Sequence, residues 1–325
     1  MCCDNPKVTV IIPNYNHGDY LSQRIDSVVN QTFQDFEVVI LDDCSTDNSR
    51  EVIELYRNHP KVSRIIYNDS NSNNTFKQWD KGIETARGEF IWIAESDDYC
   101  EPTFLDELVP PLLNNSNIVL SYCQSMFFSE SGEVLAIMKA SEMHSVVNGE
   151  KYALEKMMGG TSIPNASMVV FRKSAVEKIP RDYADMRYCG DWLFWTYICL
   201  LGDISISGKV LNYYRRHSNN VASKSIKKGL DFLEGNKIFS YLNSNCSPSG
   251  SQIKNAIYIR ADSYIKVSPL FSSYIKQAAI ESLSEIEPGI KRTIRLLKVK
   301  YFFDDFYYNF AQNFGRFVRI LFPKF

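Results

Sequence analysis

No Gly-X-Gly-X-X-Gly follows any apolar run of this 325-residue chain, which argues against a dinucleotide-dependent oxidoreductase. Nor does a glycine-rich phosphate loop follow the first strand, where a sugar nucleotidyltransferase should carry one. The chain also lacks an apolar run long enough to cross a bilayer as a helix. Internal repeats are absent, and residues 1–6 are too few and too polar to form a signal peptide. Its 8 cysteines include the adjacent Cys2 and Cys3 and never fall at Cys-X-X-Cys spacing, so neither a zinc site nor a disulfide framework is indicated. Reduced thiols in a cytoplasmic setting are the simpler expectation. A formal net charge of -2 gives no global drive toward nucleic acid. With 45% hydrophobic residues, the chain can bury one large core plus an appendage.

What is present is a recurring pattern of apolar strand followed by acidic or polar loop. Phe90-Ile-Trp-Ile-Ala-Glu-Ser-Asp-Asp-Tyr99 ends abruptly in Glu95, Ser96, Asp97 and Asp98. Carboxylates there can hold a hard divalent cation of the kind recruited to bind a diphosphate, although a polar turn after a buried strand reads the same way. Lys7-Val-Thr-Val-Ile-Ile-Pro13 is a second strand, followed by the loop Asn14-Tyr15-Asn16-His17-Gly18 and a helix from Asp19 to Asn30. A third unit runs from the strand Phe36–Leu41 through Asp42-Asp43-Cys44-Ser45-Thr46-Asp47 to a helix from about Ser49 to Asn58. In open α/β sheets ligands bind outside the carboxyl ends of the strands, and all three loops occupy such ends. Asp47 or Ser49 also suits a helix N-cap. Asp43, Ser45, Asp47 and Glu54 mimic the spacing of a helix-loop-helix calcium site, but Asn48 replaces the required glycine and a strand precedes the loop.

The motifs Val10-Ile-Ile-Pro-Asn-Tyr-Asn16, Leu41-Asp-Asp-Cys-Ser-Thr-Asp47 and Ala86-Arg-Gly-Glu-Phe-Ile-Trp-Ile-Ala-Glu-Ser-Asp-Asp-Tyr99, in this order and spacing, resemble family 2 glycosyltransferases. The resemblance covers roughly residues 7–223. It implies an α/β fold of GT-A type, a nucleotide-binding mixed sheet flanked by helices, together with a nucleotide-sugar donor and Mn2+ or Mg2+. Phe76-Lys-Gln-Trp-Asp-Lys-Gly-Ile83 is similar to the subgroup that builds bacterial surface polysaccharides such as capsule and O-antigen.

Carried over by resemblance, Asp42 would accept a hydrogen bond from the base, with Asp43 beside it and Pro13, Tyr15 and Asn16 lining the nucleoside pocket. A carboxylate facing the imide N–H of uracil would favour a UDP-sugar. Glu95, Ser96 and Asp97 would occupy the Asp-X-Asp position, with Glu95 departing from the commoner Asp. Asp97 would ligate the metal directly, with Asp98 as its neighbour in the metal set. In Tyr188-Cys-Gly-Asp-Trp-Leu-Phe-Trp195, Asp191 reads either as a helix N-cap or, by resemblance, as the general base. Trp192 would stack on an acceptor sugar or belong to the core. Asn165 and Ser167, in the loop before a short strand, would touch the acceptor or shape a turn. Arg215, Arg216 and His217 resemble the Tyr-Arg-X-His element near the diphosphate, with His217 assigned to the metal and Arg216 to phosphate. Single in-line displacement would invert the anomeric centre. Asp42, Asp97, Asp191 and His217 occurring together favour this enzyme over the alternative, an inactive nucleotide- or partner-binding module.

Strand signals fade near Ser223–Lys228, placing a catalytic domain at 1–223 and a helical region at 224–325. The Asn- and Ser-rich run Asn68–Asn74 is expected to be a mobile loop near the site. Asn243–Ser251 reads as a linker between helices. From Lys291 onward, through Phe306-Tyr-Tyr308 and Phe314-Gly-Arg-Phe-Val-Arg-Ile-Leu-Phe322, cations alternate with dense aromatics. Such a helix would lie peripherally on the inner face of the cell membrane, near a lipid-linked saccharide acceptor, or pack on protein, including another subunit of a homo-oligomer.

Overall fold

The computed structural model describes residues 5–217 and 229–302. The expected boundary at 223/224 and the aromatic stretch from 303 onward lie outside them. Two compact units emerge, one formed by Met1–Met157 with Thr161–Ser223 and the other by Met158–Gly160 with Lys224–Phe325.

The first unit is built on one mixed sheet. Strands β1 (Val8–Asn14), β2 (Phe36–Asp42) and β4 (Phe90–Ile93) are buried along their whole length, as continuous apolar runs require of central parallel strands. The remaining strands are β3 (Val62–Tyr67), β5 (Tyr99–Cys100), β6 (Ile118–Ser129), β7 (Val134–Ile137), β8 (His144–Asn148), β9 (Val169–Arg172) and β10 (Asp203–Arg216). Their order is β3-β2-β1-β4-β9-β6-β10-β5, with β7 added to β6 and β8 to β10. The first four run parallel. Strand β9 runs antiparallel to β4 and β6, and β10 runs parallel to β6. The carboxyl ends of β1, β2, β4, β6 and β10 therefore meet the amino end of β9 along one edge.

Helices α1 (Gly18–Val29), α2 (Ser49–Leu55), α3 (Thr75–Thr85) and α4 (Phe104–Asn114) connect these strands. Helix α1 buries Leu21, Arg24, Ile25 and Val28, a stripe at helical spacing with one cation inside it. Helix α3 starts where the Asn74 side chain accepts from the N–H groups of Phe76 and Lys77. It lies so close to the sheet that a Cβ on Gly82 would come within 2.4 Å of Ile11 Cγ2. Two one-turn helices follow, α5 (Gly149–Tyr152) and α6 (Lys173–Val176), and then α7 (Gly190–Cys199). Helix α7 is buried on all sides from Trp192 to Cys199, which its uniformly apolar sequence demands. Its N-cap is Cys189, so Asp191 lies in the first turn and is not the cap.

The second unit is helical among its described residues, with helices Leu230–Asn245, Gly250–Val267 and Ser273–Ile286 and a further helical stretch at 290–302. The expected linker ends in a capping box in which Ser249 and Gln252 satisfy each other's backbone. No described helix is long and apolar enough to cross a membrane.

Candidate active site

Register delivers the polar loops to one place. Asn14 lies opposite Asp42, and Ile11 lies opposite Ile93, so Glu95–Asp98 begins level with the loops after β1 and β2. At the first of these ends Asp42 is 3% exposed. Its Oδ1 accepts from Asn14 Nδ2 at 2.8 Å and from Ser45 Oγ at 2.6 Å, and its Oδ2 accepts from the Ser45 N–H at 3.0 Å. Asn16 adopts a left-handed φ of 55°, accepts from the Thr46 N–H at 2.8 Å and donates its own N–H to Ser45 Oγ at 2.9 Å. These bonds join the two loops. Pro13 is buried beneath them, and Tyr15 is exposed above.

Asp43 has another task. Its carboxylate accepts from the Ser72 N–H, Ser72 Oγ, Asn68 Nδ2 and Gln78 Nε2, at 2.6–3.0 Å. It is buried and saturated, which removes it from the nucleotide contacts. The 68–74 segment, expected to be mobile, is fastened by the same bonds.

The acidic turn after β4 alternates in exposure, with Glu95 and Asp97 half-buried and Ser96 and Asp98 buried. Asp97 faces outward. His217 Nε2 lies 3.0 Å from Asp97 Oδ2, and His17 Nδ1 lies 2.8 Å from Ser96 Oγ. One ligand atom each from His17, Asp97 and His217 falls within 4.8 Å of the others. Burial would raise the Asp97 carboxyl, but the hydrogen bond from His217 and the charges of both imidazoles hold it below its ordinary value. Burial lowers His17. Burial and then the Asp97 charge push Glu95 up to about 8, against a hydrogen bond of 2.9 Å from Trp79 Nε1.

Asp98 faces inward, with 0% exposure. Its Oδ2 accepts from Asn165 Nδ2 at 2.8 Å and Ser167 Oγ at 2.7 Å, and its Oδ1 accepts from the Arg215 N–H at 3.0 Å. The buried Arg24 guanidinium lies 3.9 Å away and donates from Nε to the Glu95 carbonyl at 2.8 Å. Burial and then the Asp97 charge push Asp98 up to about 7. Three expectations are corrected here. Asp98 braces the turn from behind and is not placed to ligate a metal beside Asp97. Asn165 and Ser167 are buried and committed to Asp98, so neither is an acceptor contact.

Arg215 belongs to the same bracing, donating from Nε to the Asp97 carbonyl at 3.0 Å while lying over Tyr20 and Phe128. Arg216 alternates to the other face and is exposed. Beside it, the Tyr214 hydroxyl is pushed up by burial, eased by Arg216 and raised again by Asp98, Asp97 and Asp191. Asp191 is half-buried, and its Oδ1 accepts from the Trp192 N–H at 2.7 Å. Trp192 itself is core, 5% exposed with its indole N–H donated to the Met157 carbonyl, so the expected stacking on an acceptor is withdrawn.

Sequence reasoning gave no role to His17, Arg24 or Tyr214. Arg24 had a visible signal, a cation at the i+3 position of the buried stripe that begins at Leu21. His17 follows a strand's carboxyl end, but its partner His217 comes from the far end of the unit.

Residues 9–180 match the profile described as Glycosyl transferase family 2. An uncharacterized glycosyltransferase of Nostoc sp. is 30% identical over 218 residues, which span 66% of this chain and 66% of that relative. Poly(ribitol-phosphate) beta-N-acetylglucosaminyltransferase TarS of Staphylococcus aureus is 39% identical over 97 residues, 29% of this chain and 16% of TarS. Among solved structures, S. aureus TarS 1-349 in complex with UDP-GlcNAc aligns with a TM-score of 0.56 at 19% identity, covering 88% of this chain and 92% of that one. Mannosyltransferase PcManGT from Pyrobaculum calidifontis, in complex with GDP-Man and Mn2+, aligns with a TM-score of 0.55 at 16% identity, covering 99% and 88%. At such identities these two structures establish a shared fold. The family profile spans more than half of the sequence, and on it the chain belongs to glycosyl transferase family 2, as a glycosyltransferase of GT-A fold.

Proposed function

We propose that the chain transfers a hexose from a UDP-sugar to a hydroxyl of a saccharide or lipid-linked saccharide during surface polysaccharide synthesis, with inversion at the anomeric carbon. The observation that carries this reading is the convergence of His17, Asp97 and His217 on one point at the carboxyl edge of the sheet. Relatives named for polymer glycosylation and a fold neighbour holding UDP-GlcNAc support the substrate class.

Two imidazoles and a carboxylate fit a divalent cation, and this donor set suits Mn2+ better than Mg2+, which prefers oxygen ligands throughout. When bound, such an ion would neutralise negative charge on the diphosphate oxygens. Asp42 retains acceptor capacity beyond its internal bonds, and we assign it to the imide N–H of uracil, with the exposed Tyr15 ring and the Asn16 backbone flanking the base. Arg216 pairs with phosphate oxygens through its planar fork. Asp191 takes the proton of the acceptor hydroxyl as that oxygen attacks the anomeric carbon in line, while the bond from that carbon to the diphosphate oxygen breaks and UDP leaves. One displacement of this kind turns an α-linked donor into a β-linked product.

A donor-hydrolysis screen over nucleotide sugars, with and without Mn2+, tests the reading. Turnover of a uridine donor should fall by roughly a hundredfold or more in Asp97→Ala, the scale of losing a charge-stabilising group. Asp191→Asn should keep nucleotide affinity and lose transfer. Tight nucleotide binding without turnover on any donor or acceptor would leave a binding module in place of the enzyme.

A further inference from the structure

Residues 290–302 form a helix that contains Lys291, Arg292, Arg295, Lys298 and Lys300 and no acidic residue. One face is buried, with Ile290, Ile294 and Leu297 at 0%, 5% and 6% exposure. Their spacing of four and three residues explains why the helix packs into its unit. The opposite face has no such explanation. Leu296 and Val299, three residues apart, are 61% and 53% exposed, and all five cations are exposed around them.

Neighbouring helices provide the contrast. In Gly250–Val267, Lys266 pairs with Asp262 at 2.8 Å, and Ser273–Ile286 carries Lys276 together with Glu281 and Glu285. An ordinary solvated face mixes both signs in this way. The surplus at 290–302 is not the by-product of a basic protein either, because the whole chain carries a net charge of -2. Asp262 of the neighbouring helix lies within electrostatic reach of Lys300, but the face still carries a surplus of cations, and apolar side chains held in solvent among them match the chemistry of an anionic lipid surface, which offers negative headgroups above hydrocarbon.

We infer that the outer face of helix 290–302 binds an anionic lipid bilayer peripherally. Its five cations sit at headgroup level, and Leu296 and Val299 enter the interface. Spanning is not involved, and the inference does not depend on which sugar the enzyme transfers. Membrane binding would concentrate the enzyme where a lipid-linked acceptor resides.

Co-sedimentation of the full chain with phosphatidylcholine vesicles, and with vesicles also containing phosphatidylglycerol, tests this directly. Retention is expected on the anionic vesicles, weakening as salt screens the cations. Lys298→Ala combined with Lys300→Ala should lower the partition coefficient by roughly 30-fold, and Leu296→Ser combined with Val299→Ser should also reduce it. All four positions are exposed, so the thermal unfolding midpoint in the absence of lipid should not move. Equal retention on neutral and anionic vesicles would overturn the inference, as would retention that none of the substitutions alters. A dimer that the Leu296→Ser and Val299→Ser pair dissolves, with no vesicle retention by the parent chain, would overturn it too, because a second copy would then cover this face.

Discussion

Asp97 keeps a partly open face beside His17 and His217, whereas Asp98, one peptide bond further on, is sealed against Arg24, Asn165 and Ser167. The outer layer gathers groups that can change partner when a ligand arrives. In the inner layer each carboxylate oxygen is matched by donors, because a buried charge without them would be too unfavourable to keep. The turn thus separates binding from support by alternating inward and outward, and the support consists of long-range hydrogen bonds. A rigid inner layer holds the outer ligands in place before any substrate binds.

The largest expected effect breaks the inner layer. Asp98→Ala should lower stability by about 3–5 kcal/mol in urea denaturation, since it strands the buried Arg24 charge and the donors of Asn165, Ser167 and Arg215. A loss under about 1 kcal/mol would show that the inner layer supports little.

The outer layer should respond in the opposite sense. His17→Ala should change stability by less than about 1 kcal/mol while weakening Mn2+ binding by roughly 100-fold, read from the electron paramagnetic resonance signal of free Mn2+ during titration. Unchanged affinity would take His17 out of the metal set and leave only Asp97 and His217.

A smaller effect sharpens the comparison at the opposite edge of the same strands, where Glu37 accepts from Thr9 Oγ1 at 2.8 Å and from Arg87 Nε at 2.9 Å. Burial would raise the Glu37 carboxyl, but hydrogen bonds from Arg87, Ser63 and Thr9 hold it below its ordinary value. A carboxyl depressed in the folded state stabilises the protein above its unfolded pKa, and that stabilisation is lost as pH falls through the folded value. Glu37→Gln should therefore be less stable than the parent at neutral pH. The difference should shrink once the pH drops below about 4, and Mn2+ affinity should not change. A difference that persists unchanged at low pH would assign the effect to packing and not to charge.

Much of this arrangement was legible before folding was considered. The runs Val8–Asn14, Phe36–Asp42 and Phe90–Ile93 announce buried strands, and the polar residues after them mark ligand-facing ends. Asp42, Asp97 and His217 were expected at the site from motif and position, and all three lie on the shared edge. Asp43, Asp98, Asn165, Ser167 and Trp192 carried the same kinds of signal, yet each proved to be committed to internal partners. Residue type shows that a carboxylate can bind. It does not show whether the protein has already taken up that capacity.

The linear order of residues alone determined the strand–loop–helix units, the family and the clustering of acids at strand ends, because turn chemistry and apolar runs act over a few residues. Only the tertiary structure decided which carboxylates look outward, and that His17 joins them. Those outcomes depend on partners 67 residues away for Asp98 and 120 residues away for Asp97, brought to one edge by the antiparallel β9 and the long β10. No local pattern encodes a contact across such a distance; it follows from the order in which the strands pair.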